Sequence, residues 1–309
     1  MKKYLLIIMV LSPLITFPQG DNDGAASKGQ PHFKVFWNYH YDYTENTEQV
    51  SAFELTRVYL GYKYKFDNKF SAKITYDIGK NDAGSNHTAL VKIAQLDYKI
   101  NPSVKISMGL IAGKQYKDQE NHWGYRYIYK MLQDENRFGP SADLGINAEF
   151  KISKTLMANL FIVNGEGYKN PQDDNGDFAI YVRLLYGEGT LNANNGFNVG
   201  LVLNNHADDQ LVALFGGWAK DKIRTGLEYN RMDSSSDSYV MLANYLNYSL
   251  SDKLDVFIRN DRLEEVGGDT STDTYLGTIW KAHQNFHIAP SFTISDGDND
   301  FRVSCMFKY

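Results

Sequence analysis

Apolar residues recur at every second position over long stretches of this chain. Between residues 70 and 78, Phe70, Ala72, Ile74, Tyr76 and Ile78 form one row, and Ser71, Lys73, Thr75 and Asp77 form the other. A period of two places successive side chains on opposite faces of a strand. The pattern returns as Ala142, Leu144, Ile146, Ala148, Phe150 and Ile152 against Asp143, Asn147, Glu149 and Lys151. It returns again as Phe178, Ile180, Val182, Leu184 and Tyr186 against Tyr181 and Arg183, and as Ile223, Thr225, Leu227 and Tyr229 against Arg224, Glu228 and Asn230. An apolar face carried from strand to strand needs a cover. A soluble sandwich or propeller covers it with a second layer, presents a polar exterior and has turns of no fixed sidedness. No second layer is evident here. A closed barrel in lipid resolves the problem, because closure pairs every strand edge.

The alternation marks sixteen strands, near 32–43, 51–66, 69–79, 88–100, 103–113, 139–152, 155–165, 177–187, 196–205, 210–219, 221–231, 238–250, 253–263, 273–283, 286–294 and 300–309. Strands 210–219 and 273–283 alternate weakly. Connections alternate between tight turns and longer stretches rich in Asp, Asn, Ser and Gly, at 44–50, 80–87, 114–138, 166–175, 206–209, 232–237, 264–272 and 295–299. The connection at 187–196 is long for a tight-turn position. Short turns on one side, longer loops on the other and an even strand count are the plan of an outer-membrane barrel. The fold expected is therefore all-β, a transmembrane antiparallel β-barrel of about sixteen strands with its third external loop folded inward.

The start of the chain reads as a secretory signal peptide over residues 1–20, with Lys2 and Lys3 ahead of an apolar core from Tyr4 to Phe17. A transmembrane anchor is the alternative, but the apolar run is short and Pro13 interrupts it. A polar lead-in over 21–31 and a barrel over 32–309 complete the expected organisation. This implies export to the outer membrane of a Gram-negative cell. The single cysteine, Cys305, excludes an intramolecular disulfide. A net charge of −5 argues against a nucleic-acid partner. Composition suits a lipid-embedded barrel, with 22 Tyr and 17 Phe but only 7 Pro.

The longest interruption of the pattern is 114–138. It carries the cations Lys114, Lys117, Arg126, Lys130 and Arg137, the anions Asp118, Glu120, Asp134 and Glu135, and the aromatics Tyr116, Trp123, Tyr125, Tyr127 and Tyr129. A loop of this length inside a regular barrel is a candidate functional segment, here a pore constriction. Five cations against four anions do not make a dedicated anion filter. Its tyrosines are expected to pack the loop against the wall, with a stacking surface for sugars as the alternative. At the other end of the chain, Phe301, Val303, Cys305, Phe307 and Tyr309 share one face of the last strand. Phe307 and Tyr309 resemble the aromatic signal read by the machinery that inserts outer-membrane barrels.

Three stretches carry a family likeness: FELTRVYLGYKYKFDNKFSAKITYDIG from Phe53, LDYKINPSVKISMGLIAGKQY leading into the long loop, and FGPSADLGINAEF leaving it. They resemble the early strands of phosphate-selective (O and P type) porins and their Bacteroidetes relatives, from Phe53 to about Gly187. The likeness is one of pattern, with no short invariant motif. It implies a sixteen-stranded, homotrimeric outer-membrane channel whose third external loop folds inward. It does not carry the phosphate preference, because the arginine ladder and lysine cluster of those channels have no residue-by-residue match here.

With the apolar face outside, the alternate residues line the pore. The expected lining cations are Arg57, Lys63, Lys65, Lys73, Lys105, Lys151, Arg183, Arg224, Arg259 and Arg302, against Asp77, Asp143, Glu149, Glu228, Asp255 and Asp261. An excess of ten to six gives a mild expected preference for anions among small hydrophilic solutes. An enzymatic barrel of the lipase or protease type is an alternative, as is a non-conducting structural barrel. The seven histidines are scattered and no GxSxG or HExxH motif is present. No cofactor or metal is expected. The acidic run 296–300 lacks the spacing of a calcium loop and reads as a solvated turn.

Overall fold

The computed structural model describes residues 29–42, 50–79, 87–172, 176–295 and 299–309. Sixteen strands occur among them: β1 (Gly29–Asp42), β2 (Val50–Lys65), β3 (Phe70–Gly79), β4 (Thr88–Asn101), β5 (Val104–Ala112), β6 (Ala142–Lys151), β7 (Leu156–Val163) and β8 (Ala179–Gly187). The second half holds β9 (Gly196–His206), β10 (Asp209–Lys220), β11 (Ile223–Asp233), β12 (Ser238–Ser251), β13 (Leu254–Glu265), β14 (Thr270–His283), β15 (Phe286–Ser295) and β16 (Asn299–Lys308). Each strand pairs antiparallel with its sequence neighbours, and β1 pairs with β16 to close the barrel. At that seam Phe33 and Tyr309 exchange backbone hydrogen bonds of 3.1 and 3.0 Å.

One rim, the turn end, is closed by short connections. At 66–69, Asp67 Oδ1 accepts from the N–H groups of Lys69 and Phe70 at 2.7 Å, fixing the reversal. At 152–155 the Ser153 hydroxyl accepts from Thr155 and Leu156. The opposite rim, the loop end, carries the longer connections, including 113–141. The 188–195 connection at the turn end is the long one there, and its Leu191 is buried.

Burial separates the two faces. Along β8, Ile180, Val182, Leu184 and Tyr186 are exposed, while Ala179, Tyr181, Arg183 and Leu185 are buried. Apolar side chains facing out and polar or packed ones facing in form the pattern of a barrel whose outer solvent is lipid. Among the described residues no helix is long and apolar enough to cross a membrane.

The two weakly alternating strands have different causes. On β10 the inward residues Leu211, Ala213 and Phe215 are themselves apolar, buried with Phe161, Tyr181 and Val202. On β14 the outward row is mixed, with Thr272, Thr274 and Thr278 interrupting exposed Leu276 and Trp280. The first strand starts earlier than expected. Gly29, Gln30 and Pro31, assigned to the polar lead-in by composition, pair with Tyr64, Lys63 and Tyr62 of β2. Partner strands, which composition does not register, decide where a strand begins. The expected signal peptide (1–20) and the rest of the lead-in lie outside the described residues, as do 296–298 of the acidic run, while Asn299 and Asp300 open β16.

Candidate functional site

The long connection after β5 contains two short helices, α1 (Lys117–Trp123) and α2 (Leu132–Glu135). Gly124 ends α1 in the left-handed region (φ 80°), and its N–H returns to the Glu120 carbonyl at 2.9 Å. The carbonyl of Trp123 then accepts from Arg224 Nη2 of β11 at 2.9 Å.

Side chains of this segment reach many inward positions of the wall. The Asp118 carboxylate receives two hydrogen bonds from the Arg183 guanidinium of β8, whose Nη1 also donates to Asn159 of β7 at 2.8 Å. Tyr125 donates to Asp255 of β13 at 2.7 Å, and the Tyr129 hydroxyl lies 2.9 Å from Thr293 of β15. Gln133 donates to Asn230 of β11 at 2.7 Å, and Gln115 accepts from Asn204 of β9 at 2.7 Å. Trp123, fully buried, meets Tyr245 and Phe257 edge-on at 5.2 and 5.4 Å. His122 lies on Gly217 of β10, where any Cβ would overlap its ring. The tyrosines are thus used in packing and hydrogen bonding to the wall.

The charges of the segment are neutralised close at hand. Lys114 pairs with Glu149 at 2.5 Å, and Lys117 with Glu120. Arg126 bridges Glu120 and Asp134, each at 2.9 Å, and Lys130 pairs with Glu135 at 3.1 Å. Arg137 stands in the left-handed region beside a cavity on the β9–β11 side. Burial pushes the Glu120 carboxyl up, but Lys117 and Arg126 outweigh it and hold it below the ordinary glutamate value. Burial and the Arg224 charge pull His122 down to about 4, which keeps its ring neutral.

The inward arginines of the wall also have specific partners. Arg57 bonds Asp77 at 3.1 Å. Arg259, fully buried, pairs with Asp261 at 2.5 Å and lies over the Trp123 and Tyr275 rings. Arg224 stacks on Tyr125, with its guanidinium 5.0 Å from the ring centre. Arg302 pairs with Asp300 at 2.8 Å and faces Tyr129. The lysines divide. Lys105 lies 3.8 Å from Glu149, whereas Lys73 stands directly opposite Lys63, and Lys34 opposite Lys308, with no ion pair to a carboxylate among the described residues. Phe307 and Tyr309 sit outward at the seam, both against Phe33, at centroid distances of 5.7 and 5.6 Å.

One inward group has no forerunner in the sequence pattern. Lys92 of β4 sits between the rings of Tyr59 and Tyr168, 5.2 and 4.7 Å from their centres, and 3.8 Å from Asp77. Tyr168 comes from the β7–β8 connection and donates to Asp77, so a second loop reaches across to β3, four strands away. Polar alternation marks Asp77 as inward, but no local signal shows which loop it meets.

Cavities lie on both sides of the long segment. At the loop end a space of about 890 Å³ is lined by Glu54, Arg57, Arg126, Asp273 and Arg302 among others. A neighbouring space of about 400 Å³ shares Arg57 and Arg126 and adds Lys92 and Tyr168. At the turn end a space of about 300 Å³ is lined by Tyr125, Arg224, Lys281, His287 and Lys308, with the 191–195 turn at its edge.

Solved structures place this architecture among known ones. OmpF of Salmonella typhi superposes with a TM-score of 0.70 at 11% identity, covering 91% of this chain and 97% of that one. The fold is that of an outer-membrane porin barrel. OprB of Pseudomonas putida (TM-score 0.65, 8% identity, 91% and 93% covered) and the outer membrane channel DcaP of Acinetobacter baumannii (0.61, 9%, 91% and 97%) share it. No family model and no curated protein matches the sequence.

Proposed function

We propose that this chain is an outer-membrane porin that lets small hydrophilic solutes diffuse passively through a water-filled channel, and that it is not an enzyme. The observation that carries this reading is a closed barrel with an apolar outer row and a charged inner row, enclosing polar cavities on either side of one inward-reaching segment. The 113–141 segment is the constriction and narrows the channel where α1 meets Arg183, Arg224 and Phe257. Its own charges are paired, so it selects by size more than by sign. A mild anion preference comes from the unpaired inward lysines near the turn end, Lys34, Lys63, Lys73 and Lys308, and not from the arginines, which are engaged with carboxylates or rings. The finer likeness to phosphate-selective porins, export by a signal peptide, insertion through Phe307 and Tyr309, and assembly as a homotrimer belong to the same proposal.

The test is reconstitution of the refolded full chain into a planar bilayer. Stepwise conductance is expected, with a reversal potential in a salt gradient that favours anions. Silence over repeated insertions of folded protein would remove the channel reading.

A further inference from the structure

At the turn end, the space beside the 191–195 turn is walled by side chains whose polar atoms are only partly used. Asn247 of β12 is 4% exposed, and neither its amide oxygen nor its amide nitrogen has a hydrogen-bond partner among the described residues. It stands directly opposite Arg224 of β11, and both line this space. Arg224 is held from two sides. Its Nη2 donates to the Trp123 carbonyl at 2.9 Å, and its guanidinium lies over the Tyr125 ring. Its Nε is buried with no partner among the described residues, and so is Nδ1 of His287 on β15. Buried polar groups are bonded in all but a few cases, and each exception calls for an explanation. Here three such groups, from three strands, line one space.

The charge of the lining is unbalanced. Lys222 and Asp221 offset each other at the rim, and inside it stand three cations, Arg224, Lys281 and Lys308, against one carboxylate, Asp255. Asp255 is already satisfied, since Oδ1 accepts from Lys281 at 2.9 Å and Oδ2 from Tyr125 at 2.7 Å. Lys308 stands across the seam from Lys34, not from a carboxylate. The rim is fixed in place. Asn195 donates to the Asp221 carboxylate at 3.3 Å and accepts from the Asp221 N–H at 2.9 Å, and Leu191 is buried. The extra length of this connection, which a strand reversal does not need, thus serves as one edge of the space. At about 300 Å³ the space lies at the small end of ligand pockets.

We infer that this space is a binding site for a short hydroxylated carboxylate, with Arg224, Lys281 and Lys308 taking the carboxylate and Asn247 taking a hydroxyl. Guanidinium and ammonium groups bond a carboxylate more strongly than neutral donors do. The Asn247 amide needs a group that both donates and accepts, which a hydroxyl does. A halide or an unsubstituted carboxylate has no proton to give the amide oxygen. This rests on the reading of the chain as a channel for small hydrophilic solutes, and names one class of solute held on the turn-end side of its constriction.

Calorimetric titration of the refolded full chain in detergent compares glycerate with propionate, which lacks the hydroxyls, and with glycerol, which lacks the charge, at constant ionic strength. Saturable glycerate binding at least tenfold tighter than either is expected. Asn247→Leu exchanges an unpartnered amide for an apolar side chain, so the barrel should keep its heat-modifiable migration. Its glycerate affinity should fall at least tenfold while propionate binds as before. Lys308→Gln should weaken both acids. Absent saturable binding of glycerate, equal binding of glycerate and either comparison compound, or an unchanged glycerate affinity in either variant overturns the site. Equal loss of both acids in Asn247→Leu overturns it too. Bilayer recordings separate this site from the channel reading. Absent conductance with intact glycerate binding removes the channel claim alone, and conductance without glycerate binding removes the site alone.

Discussion

Removing the Arg183 guanidinium should release the inward segment without unfolding the barrel. Arg183 is 3% exposed and meets the Asp118 carboxylate through two nitrogens. Arg183→Met keeps much of the volume but leaves Asp118, 9% exposed, without its cation. Breaking a buried pair from one side costs about 3–5 kcal/mol, because a charge is left in a poorly solvating site. The barrel ladder does not depend on this contact, so the penalty falls on docking of α1. Taking about 3 kcal/mol and about 1.4 kcal/mol per decade, the released form gains roughly a hundredfold in population. Ties at Tyr125–Asp255 and Gln133–Asn230 remain, so the segment loosens and does not leave. Single-channel recordings should show added open-channel noise and excursions to a higher conductance. Adding Asp118→Asn to Arg183→Met removes the stranded charge and should restore much of the wild-type trace, giving a coupling energy by double-mutant cycle. If Arg183→Met records like wild type, or the double variant is no quieter than the single one, the pair does not hold the segment in place.

Deleting Tyr116–Gln133 should raise unitary conductance, and an unchanged value would mean that the segment lies outside the conducting path. Gly217→Val sets a side chain where the His122 ring now lies, so α1 must shift and protease cleavage within 117–135 should become faster while the barrel stays intact. Lys63→Glu with Lys73→Glu should move the reversal potential toward cations, because these inward lysines face each other with no carboxylate between them. The Glu120 tie should tolerate mild acid. Its carboxyl titrates below the ordinary value of 4.5, so the stabilisation is fully present above that value and is lost only as pH falls through the lower folded value. Channel noise should therefore stay flat down to that pH and rise below it, and a rise near neutrality would contradict the assignment.

The strands were legible because alternation is a local signal. Phe70 through Ile78 announces β3 without reference to any partner. The same logic fails where a face meets protein in place of lipid or water. Phe215 and Leu211 make β10 apolar inside because the wall there packs against Phe161 and Tyr181. On β14 the cause is different, because Thr272, Thr274 and Thr278 interrupt the apolar outward row of Leu276 and Trp280. Within the long segment, α1 and α2 span seven and four residues, too few for a helical period to emerge. Alternation also gave the positions of inward cations but not their state. Arg183 and Asp118 lie 65 residues apart and Tyr168 and Asp77 lie 91 apart, so no window of sequence contains both partners. Arg259 illustrates the consequence: as a pore-lining cation it would contribute charge to the channel, yet Asp261, Trp123 and Tyr275 enclose it.

The seam between Phe33 and Tyr309 also sets an order of assembly. The cylinder cannot close until β16 is available to β1, so the first strand must wait for the last. The anchors of the inward segment wait as well: Tyr125 needs Asp255, 130 residues later, and Tyr129 needs Thr293, 164 residues later. Only Lys114–Glu149 and the pairs inside the segment can form early. The docking of this segment is therefore among the last features to be completed, and a chain halted before β13 would carry it without its ties to Asp255 and Thr293.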